Sequence, residues 1–412
     1  MGKMKSLVAL DIGTHKTAVI VGELKDNELN IIGFKEVFTK GIDKGLIVKS
    51  FDVVETIKDV IESTEGLIGY KIDSVLVNIG GFHIVCGNEE EEISFGEEPK
   101  TIQPEDIEAL LDSLADSIET NDFEITHIIP KRYIIDDDNE VEDPVGLVAR
   151  KLKGEFHLVL HKESDFINLR KVIENAGIRV LDIVANPIAS AKSVLYEDEK
   201  NLGVAVLDIG AGTTDIAVFV DGAIDYTGAI PIAGNQITMD IAHRFKISKD
   251  EAEAVKVDYG GALVSNAEEN IIEVYQLGSD EPVQINQYEL VDTIEARLSE
   301  IFELVKAKLD KKGYTKKLKG GIVLTGGVAN TPDIKQLAEM VFKTDVRIGK
   351  PKDYVGYADK LSKPDYATTL GILLYQKSQF ENKEASLFNI PTDITDIVDF
   401  IKQIVEKLKQ FF

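Results

Sequence analysis

Leu207-Asp208-Ile209-Gly210-Ala211-Gly212-Thr213-Thr214-Asp215 sits between two apolar runs, Val204 to Leu207 before it and Ile216 to Val220 after it. The second run stops at Asp221-Gly222, a pair that favours a tight hairpin turn. An earlier stretch repeats the pattern: Leu10-Asp11-Ile12-Gly13-Thr14 follows Leu7-Val8-Ala9 and leads into Ala18-Val19-Ile20-Val21. By residue identity, Ala211-Gly212 reads as an insertion in the second copy, so that Thr14 matches Thr213 and Ala18-Val19 matches Ala217-Val218. Each copy reads as strand, glycine turn, strand. Such a duplication predicts two related α/β units, with Asp11 and Asp208 at equivalent strand ends.

The residue types at the turns suit a nucleotide triphosphate. Its phosphates need backbone N–H donors and hydroxyls, and its Mg²⁺ needs carboxylates acting through bound water. Gly13, Gly210 and Gly212 carry no Cβ to block close approach. Thr14, Thr213 and Thr214 supply hydroxyls, Lys16 a cation, and Asp11 and Asp208 the carboxylates for Mg²⁺. Other nucleotide motifs fail: no G-x-x-x-x-G-K-[ST] occurs, and Asp215 stands where a dinucleotide fingerprint needs glycine or alanine.

Outward from the two hairpins, strands are expected at 74–79, 180–184 and 321–325, and a helix at 164–176. Strands alternating with helices argue for mainly parallel sheets. Residues 82–163 break the pattern. They carry acidic runs (Glu89 to Glu92, Asp136 to Asp138), a helix around Ile107 to Leu114, and strand candidates at 125–135 and 155–161, read together as an inserted small α+β subdomain. Asp136, Asp138 and Glu140 lack the sixth-position glycine of a calcium loop, so a solvated loop is expected there. The division is therefore 1–81 with 164–194 and 362–377 as the first half, 82–163 as the insertion, 195–361 as the second half, 378–393 as a linker and 394–412 as a tail.

The 412 residues exceed what one core holds. A formal net charge of -26 disfavours nucleic acid. Cys86 is the single cysteine, so no internal disulfide forms, which fits a reducing compartment. The N-terminal apolar run is too short for a signal peptide, and Gly2 with Ser6 matches a myristoylation pattern but reads better as the approach to the first strand. In the tail, Ile397, Ile401, Ile404, Leu408 and Phe411 follow a four-three spacing with Phe400 and Phe412 beside them. That pattern is too short and too charged to span a bilayer and suits a helix lying in its interface.

Further motifs complete a family pattern in order. Val184-Ala185-Asn186-Pro187-Ile188-Ala189-Ser190-Ala191, Ala233-Gly234-Asn235, Ala252-Glu253-Ala254-Val255-Lys256-Val257, Leu324-Thr325-Gly326-Gly327-Val328-Ala329-Asn330 and Ala367-Thr368-Thr369-Leu370-Gly371 follow the two hairpins. With them the chain resembles the actin-like ATPase superfamily and, within it, the FtsA family of bacterial cell-division proteins. The resemblance implies duplicated actin/ribonuclease H-like domains around a nucleotide cleft, with ATP and Mg²⁺ as ligands. It assigns Gly234 and Asn235 to a third phosphate-proximal turn, Glu253 and Lys256 to the ribose and adenine, and Gly326, Gly327 and Asn330 to the adenosine. It further implies self-assembly into polymers, a tether between FtsZ filaments and the cytoplasmic side of an anionic cell membrane at the division site, and contact with other division proteins. The chaperones of the superfamily place a glutamate where Asn186 stands. Slow hydrolysis at most is therefore expected, with Asn186→Glu raising it. Two alternatives share the fold: a type IV pilus assembly protein of the PilM kind, and a small-molecule kinase.

Overall fold

The computed structural model describes residues 5–25, 27–278 and 281–387. The tail pattern from Ile397 to Phe412 lies outside these residues.

The duplication is visible as two five-stranded sheets of the same topology. In the first, the strands run in the order Arg179–Ala185, Ser74–Ile79, Lys5–Ile12, Lys16–Lys25, Glu28–Phe38. In the second, the order is Ala223–Ile230, Thr214–Val220, Val204–Ile209, Ile322–Thr325, Val346–Ile348. Each sheet joins an antiparallel three-stranded meander to two parallel strands. The sheets are thus mixed, not mainly parallel, because each meander turns in a few residues where a parallel crossover needs a helix. Asp221 and Gly222 both take positive φ, at 50° and 84°, as a primed hairpin turn requires.

Hydrophobic alternation gives way to continuous burial in the strands that carry the hairpins; every residue of Val204–Ile209 is buried, as in strands covered on both faces. In the second half these strands share a core with the helices Gly234–Phe245, Gln287–Lys311 and Ile334–Phe342. In the first half the helix Ser50–Ile68 packs on the meander and on the helix Glu163–Asn175.

The insertion has its own core, built from Leu110, Leu114, Leu152, Phe156 and neighbours. Its four-stranded sheet runs Asn139–Val141, Phe123–Ile135, Lys151–Lys162, Val85–Ser94, with the helix Pro104–Ser117 against it. Glu89 to Glu92 belong to the edge strand of that sheet, where Lys151 and Lys153 of the next strand meet Glu92 and Glu90. Asp136 to Asp138 form a turn, with Asp136 accepting from the N–H groups of Arg150 and Lys151 at 2.8 and 2.9 Å.

Two helices connect the halves, Asn186–Val194 and Ala367–Leu387. The second continues through 378–387, ten residues of the stretch read as a linker. They cross at Gly371, where a Cβ would lie 1.8 Å from the carbonyl oxygen of Ala189. Only glycine permits that approach.

Candidate functional site

Both hairpins close with the same bond: Gly13 N–H donates to Lys16 O at 3.0 Å, and Gly210 N–H to Thr213 O at 3.0 Å. The strand registers agree, with Asp11 opposite Ala18 and Asp208 opposite Asp215. The second copy therefore holds no insertion. Lys16 is the structural counterpart of Thr213, and Ala18 of Asp215. Identity matching misled because both copies carry threonine near the turn, at positions with different geometry.

The hairpins face each other across a cavity of about 650 Å³, within the range of small-ligand sites. Asp11, Gly13, Thr14 and Lys16 line it from the first half. From the second come Asp208, Gly210, Gly212, Thr213, Gly234, Asn235, Glu253, Lys256, Gly326, Gly327 and Asn330. Thr214 is different: its side chain is fully buried and its hydroxyl donates to Ile232 O at 2.8 Å, as alternation along the strand dictates. Thr14 accepts from Gly45 N–H at 3.1 Å, and a Cβ on Gly212 would come within 2.4 Å of its hydroxyl. The hairpin tips thus touch. Gly234 and Asn235 give their N–H groups to Gly210 O and Ala211 O, at 3.0 and 2.8 Å, so this helix start braces the second hairpin.

The two aspartates are bridged by adjacent residues of one helix. Thr369 donates to Asp11 at 2.5 Å and Thr368 to Asp208 at 2.7 Å. Burial raises the Asp11 carboxyl above its ordinary range, against the Thr369 bond and the Lys16 charge. It pushes Asp208 up to about 6, with the Thr368 bond opposing and the Asp11 charge adding. A divalent cation would relieve both. Among the described residues, no cluster of three or more His, Cys, Asp or Glu could hold a metal by itself.

A hydrogen-bonded string crosses between the halves beside them. Ile12 N–H donates to Asn78 Oδ1 (2.7 Å), Asn78 Nδ2 to Asn186 Oδ1 (3.0 Å), and Asn186 Nδ2 to Asp215 Oδ2 (3.3 Å). Thr213 donates to the same Asp215 oxygen at 3.3 Å, while Oδ1 is buried without a partner. Burial first, then the Asp208 charge, push Asp215 up to about 7.

At the other end, Lys256 Nζ lies 2.6 Å from Glu253 Oε2 and 2.9 Å from Thr238 Oγ1. Glu253 and Lys256 are part-buried, with Glu253 lowered on balance by its lysine despite burial. Lys16 Nζ stands 3.5 Å over the Tyr366 ring and 3.8 Å from Glu36, its pKa lowered by burial. Asn330 donates to Gly327 O at 3.1 Å and to Asp365. His15, Glu36, Asn78, Asp365 and Tyr366 also line the cavity and were not singled out from the sequence, and Thr368, quoted within the 367–371 motif, was given no site role there. The Thr368-Thr369 doublet at a helix start was the available signal.

Two halves of matching topology, a cleft between them and a small-residue crossing beneath it define an actin-like ATPase fold. Solved structures share it at low identity. The PilM–PilN type IV pilus biogenesis complex superposes with a TM-score of 0.62, covering 90% of this chain and 98% of that one at 14% identity. MreB5 of Spiroplasma citri bound to ADP gives 0.57, with 92% and 98% covered at 15% identity. A family model described as cell division protein FtsA matches residues 205–371, and one for the SHS2 domain inserted in FtsA matches 81–160. The cell division protein FtsA of Escherichia coli K12 is 36% identical over 417 residues, 99% of this chain and 98% of that relative. This chain belongs to the FtsA family of cell-division proteins.

Proposed function

We propose that the cleft binds Mg-ATP, and that the protein self-assembles and tethers FtsZ filaments to the cytoplasmic face of the cell membrane through 394–412. The observation that carries the nucleotide reading is the bridged pair Asp11 and Asp208, one from each half, held by Thr369 and Thr368. The site's chemistry fits the ligand. Two buried carboxylates with raised proton affinity favour a hydrated Mg²⁺. Gly210, Gly212 and Thr213 would face the phosphates, and Glu253, Lys256, Gly326, Gly327 and Asn330 the nucleoside. When bound, Mg²⁺ neutralises phosphate charge. The chain's own part is to orient the phosphates, exclude water and hold the halves around them. Asn186 supplies no base, so the ligand works as an assembly switch with slow hydrolysis at most.

Calorimetry with ATP, with and without Mg²⁺, tests this. Asp208→Ala should remove the Mg²⁺-dependent part of the affinity. Equal Mg²⁺-dependence in wild type and Asp208→Ala would overturn the assignment. Co-sedimentation with FtsZ polymers tests the tether.

A further inference from the structure

Acidic residues outnumber basic ones by 72 to 46 in this chain, yet Lys311-Lys312-Gly313-Tyr314-Thr315-Lys316-Lys317-Leu318-Lys319 holds five lysines and no acid. The segment follows the helix Gln287–Lys311 and leads into the strand Ile322–Thr325. That strand and its parallel neighbour Val204–Ile209 begin here and run toward the cleft, so the lysines lie at the far end of the second sheet. None of them lines the cavity. Basic residues complement the dipole at a helix C-terminus. That accounts for Lys311 and Lys312, but not for Lys316, Lys317 and Lys319 beyond the last turn.

The loop is held by its own backbone. Gly313 takes a φ of 77°, and Tyr314 N–H donates to Leu309 O at 3.0 Å, Lys317 N–H to Tyr314 O at 2.7 Å and Gly320 N–H to Gly203 O at 2.7 Å. Tyr314 and Leu318 are buried, while all five lysines are exposed. Lys312 Nζ stands 4.8 Å over the Tyr226 ring and Lys317 Nζ 5.6 Å over Tyr314. Those two rings pack together, centroids 5.9 Å apart. Nearby carboxylates are engaged elsewhere: Asp310 by Thr315, Asp225 by Lys131, Glu197 by Lys200 and Glu199 by Arg347. Among the described residues, none of the five lysines has an ion-pair partner.

Five like charges on a fixed loop repel one another, and an anion laid across them removes that repulsion. A loop already ordered, with two lysines seated over rings, also loses little freedom on binding. We propose that this lysine surface docks an acidic, extended segment of a partner protein, independently of the cleft. Lysines are point charges, without the planar fork by which arginine grips a single phosphate, so the surface reads density of negative charge. A narrow peptide can stay on the lysines. A nucleic-acid duplex or a bilayer would also face the rest of a chain of net charge -26, within the screening distance of about 8–10 Å.

Fluorescence anisotropy of a labelled oligo-glutamate peptide with the full chain tests this. Affinity should fall as salt rises, and absence of binding at low salt overturns the proposal. Lys316→Glu/Lys319→Glu, which leaves both ring contacts in place, should weaken binding by about tenfold. Lys35→Glu/Lys171→Glu changes the net charge equally at exposed positions of the first half and should bind as wild type does. Equal losses in the two variants would trace binding to whole-molecule charge and overturn the site. Carbodiimide coupling of the peptide to the wild-type protein needs no variant. Adducts concentrated on residues 311–319 support the site, and adducts spread over the chain's lysines overturn it. Two results would give the surface to another occupant and overturn the peptide. One is tighter binding of a DNA oligonucleotide of equal charge. The other is anionic-vesicle binding by Phe411→Glu/Phe412→Glu protein that Lys316→Glu/Lys319→Glu then removes.

Discussion

Asp215 is held by Asn186 and Thr213 on one oxygen and by nothing on the other. Its folded-state proton affinity, up at about 7 from 3.8, has burial as its main cause. The folded protein therefore keeps a proton there over a range in which the unfolded chain has lost it. That contribution to stability is full below about pH 4 and is lost as pH rises toward 7. Asp215→Asn removes the buried charge. It should stabilise the nucleotide-free protein by on the order of a few kcal/mol near pH 8 and by far less near pH 5, read by urea unfolding at both values. A gain of the same size at both would show that Asp215 is not protonated by its surroundings. The same contacts revise an expectation from the sequence. Asn186→Glu would set a second carboxylate against Asp215, in a space so tight that a Cβ on Gly80 would lie 2.4 Å from Asn186 Nδ2. The expected result is lower stability and no faster single-turnover hydrolysis.

Gly371 and Ala189 show the same tightness between elements. A methyl at Gly371 meets backbone, which cannot move aside as a side chain can. Gly371→Ala should cost about 1–3 kcal/mol or more by overpacking and should weaken ATP binding, because Thr368 and Thr369 of the same helix hold Asp208 and Asp11. A variant with wild-type urea midpoint would mean that the helices can separate freely. Elements of this kind were legible to different depths. Apolar runs ending at glycine gave the strands that carry the hairpins, and small-residue runs gave both connecting helices. The mixed sheets were not legible, since strand direction depends on pairing between segments distant in the chain. The strand Val85–Ser94 was hidden by its glutamates, which are tolerated because an edge strand can point them at solvent and at the lysines beside it. Most cleft-lining residues could be named from motifs, while the Asn78–Asn186–Asp215 string could not, since three separate segments supply it.

At the scale of the whole molecule, charge and the tail pull in different directions. Ile397, Ile401, Ile404, Leu408 and Phe411, with Phe400 and Phe412, give the sequence 394–412 one apolar stripe. Its lysines Lys402, Lys407 and Lys409 are matched by Asp396, Asp399 and Glu406, so it carries no net charge. In the proposed membrane contact, attraction to lipid would rest on apolar burial, roughly 1.5–3 kcal/mol per side chain, set against about 1–2 kcal/mol per residue for ordering a free segment. The balance for one copy is small. The chain's net charge of -26 adds repulsion from an anionic surface, and salt screens that repulsion over about 8–10 Å at ordinary ionic strength. Binding of the isolated protein to anionic vesicles should therefore be weak and should strengthen with salt, the reverse of a basic tail. Polymerised protein should bind far more tightly, since each further tail attaches at high effective concentration. Vesicle co-sedimentation of the full chain, a chain ending at Asp393 and Phe411→Glu/Phe412→Glu checks this, with and without polymer. Loss of binding in both variants, together with a rise with salt in the full chain, is the expected result. Binding that survives the truncation would place the membrane contact elsewhere on the molecule, and binding that falls with salt would mean that lysines, not the apolar stripe, hold the lipid.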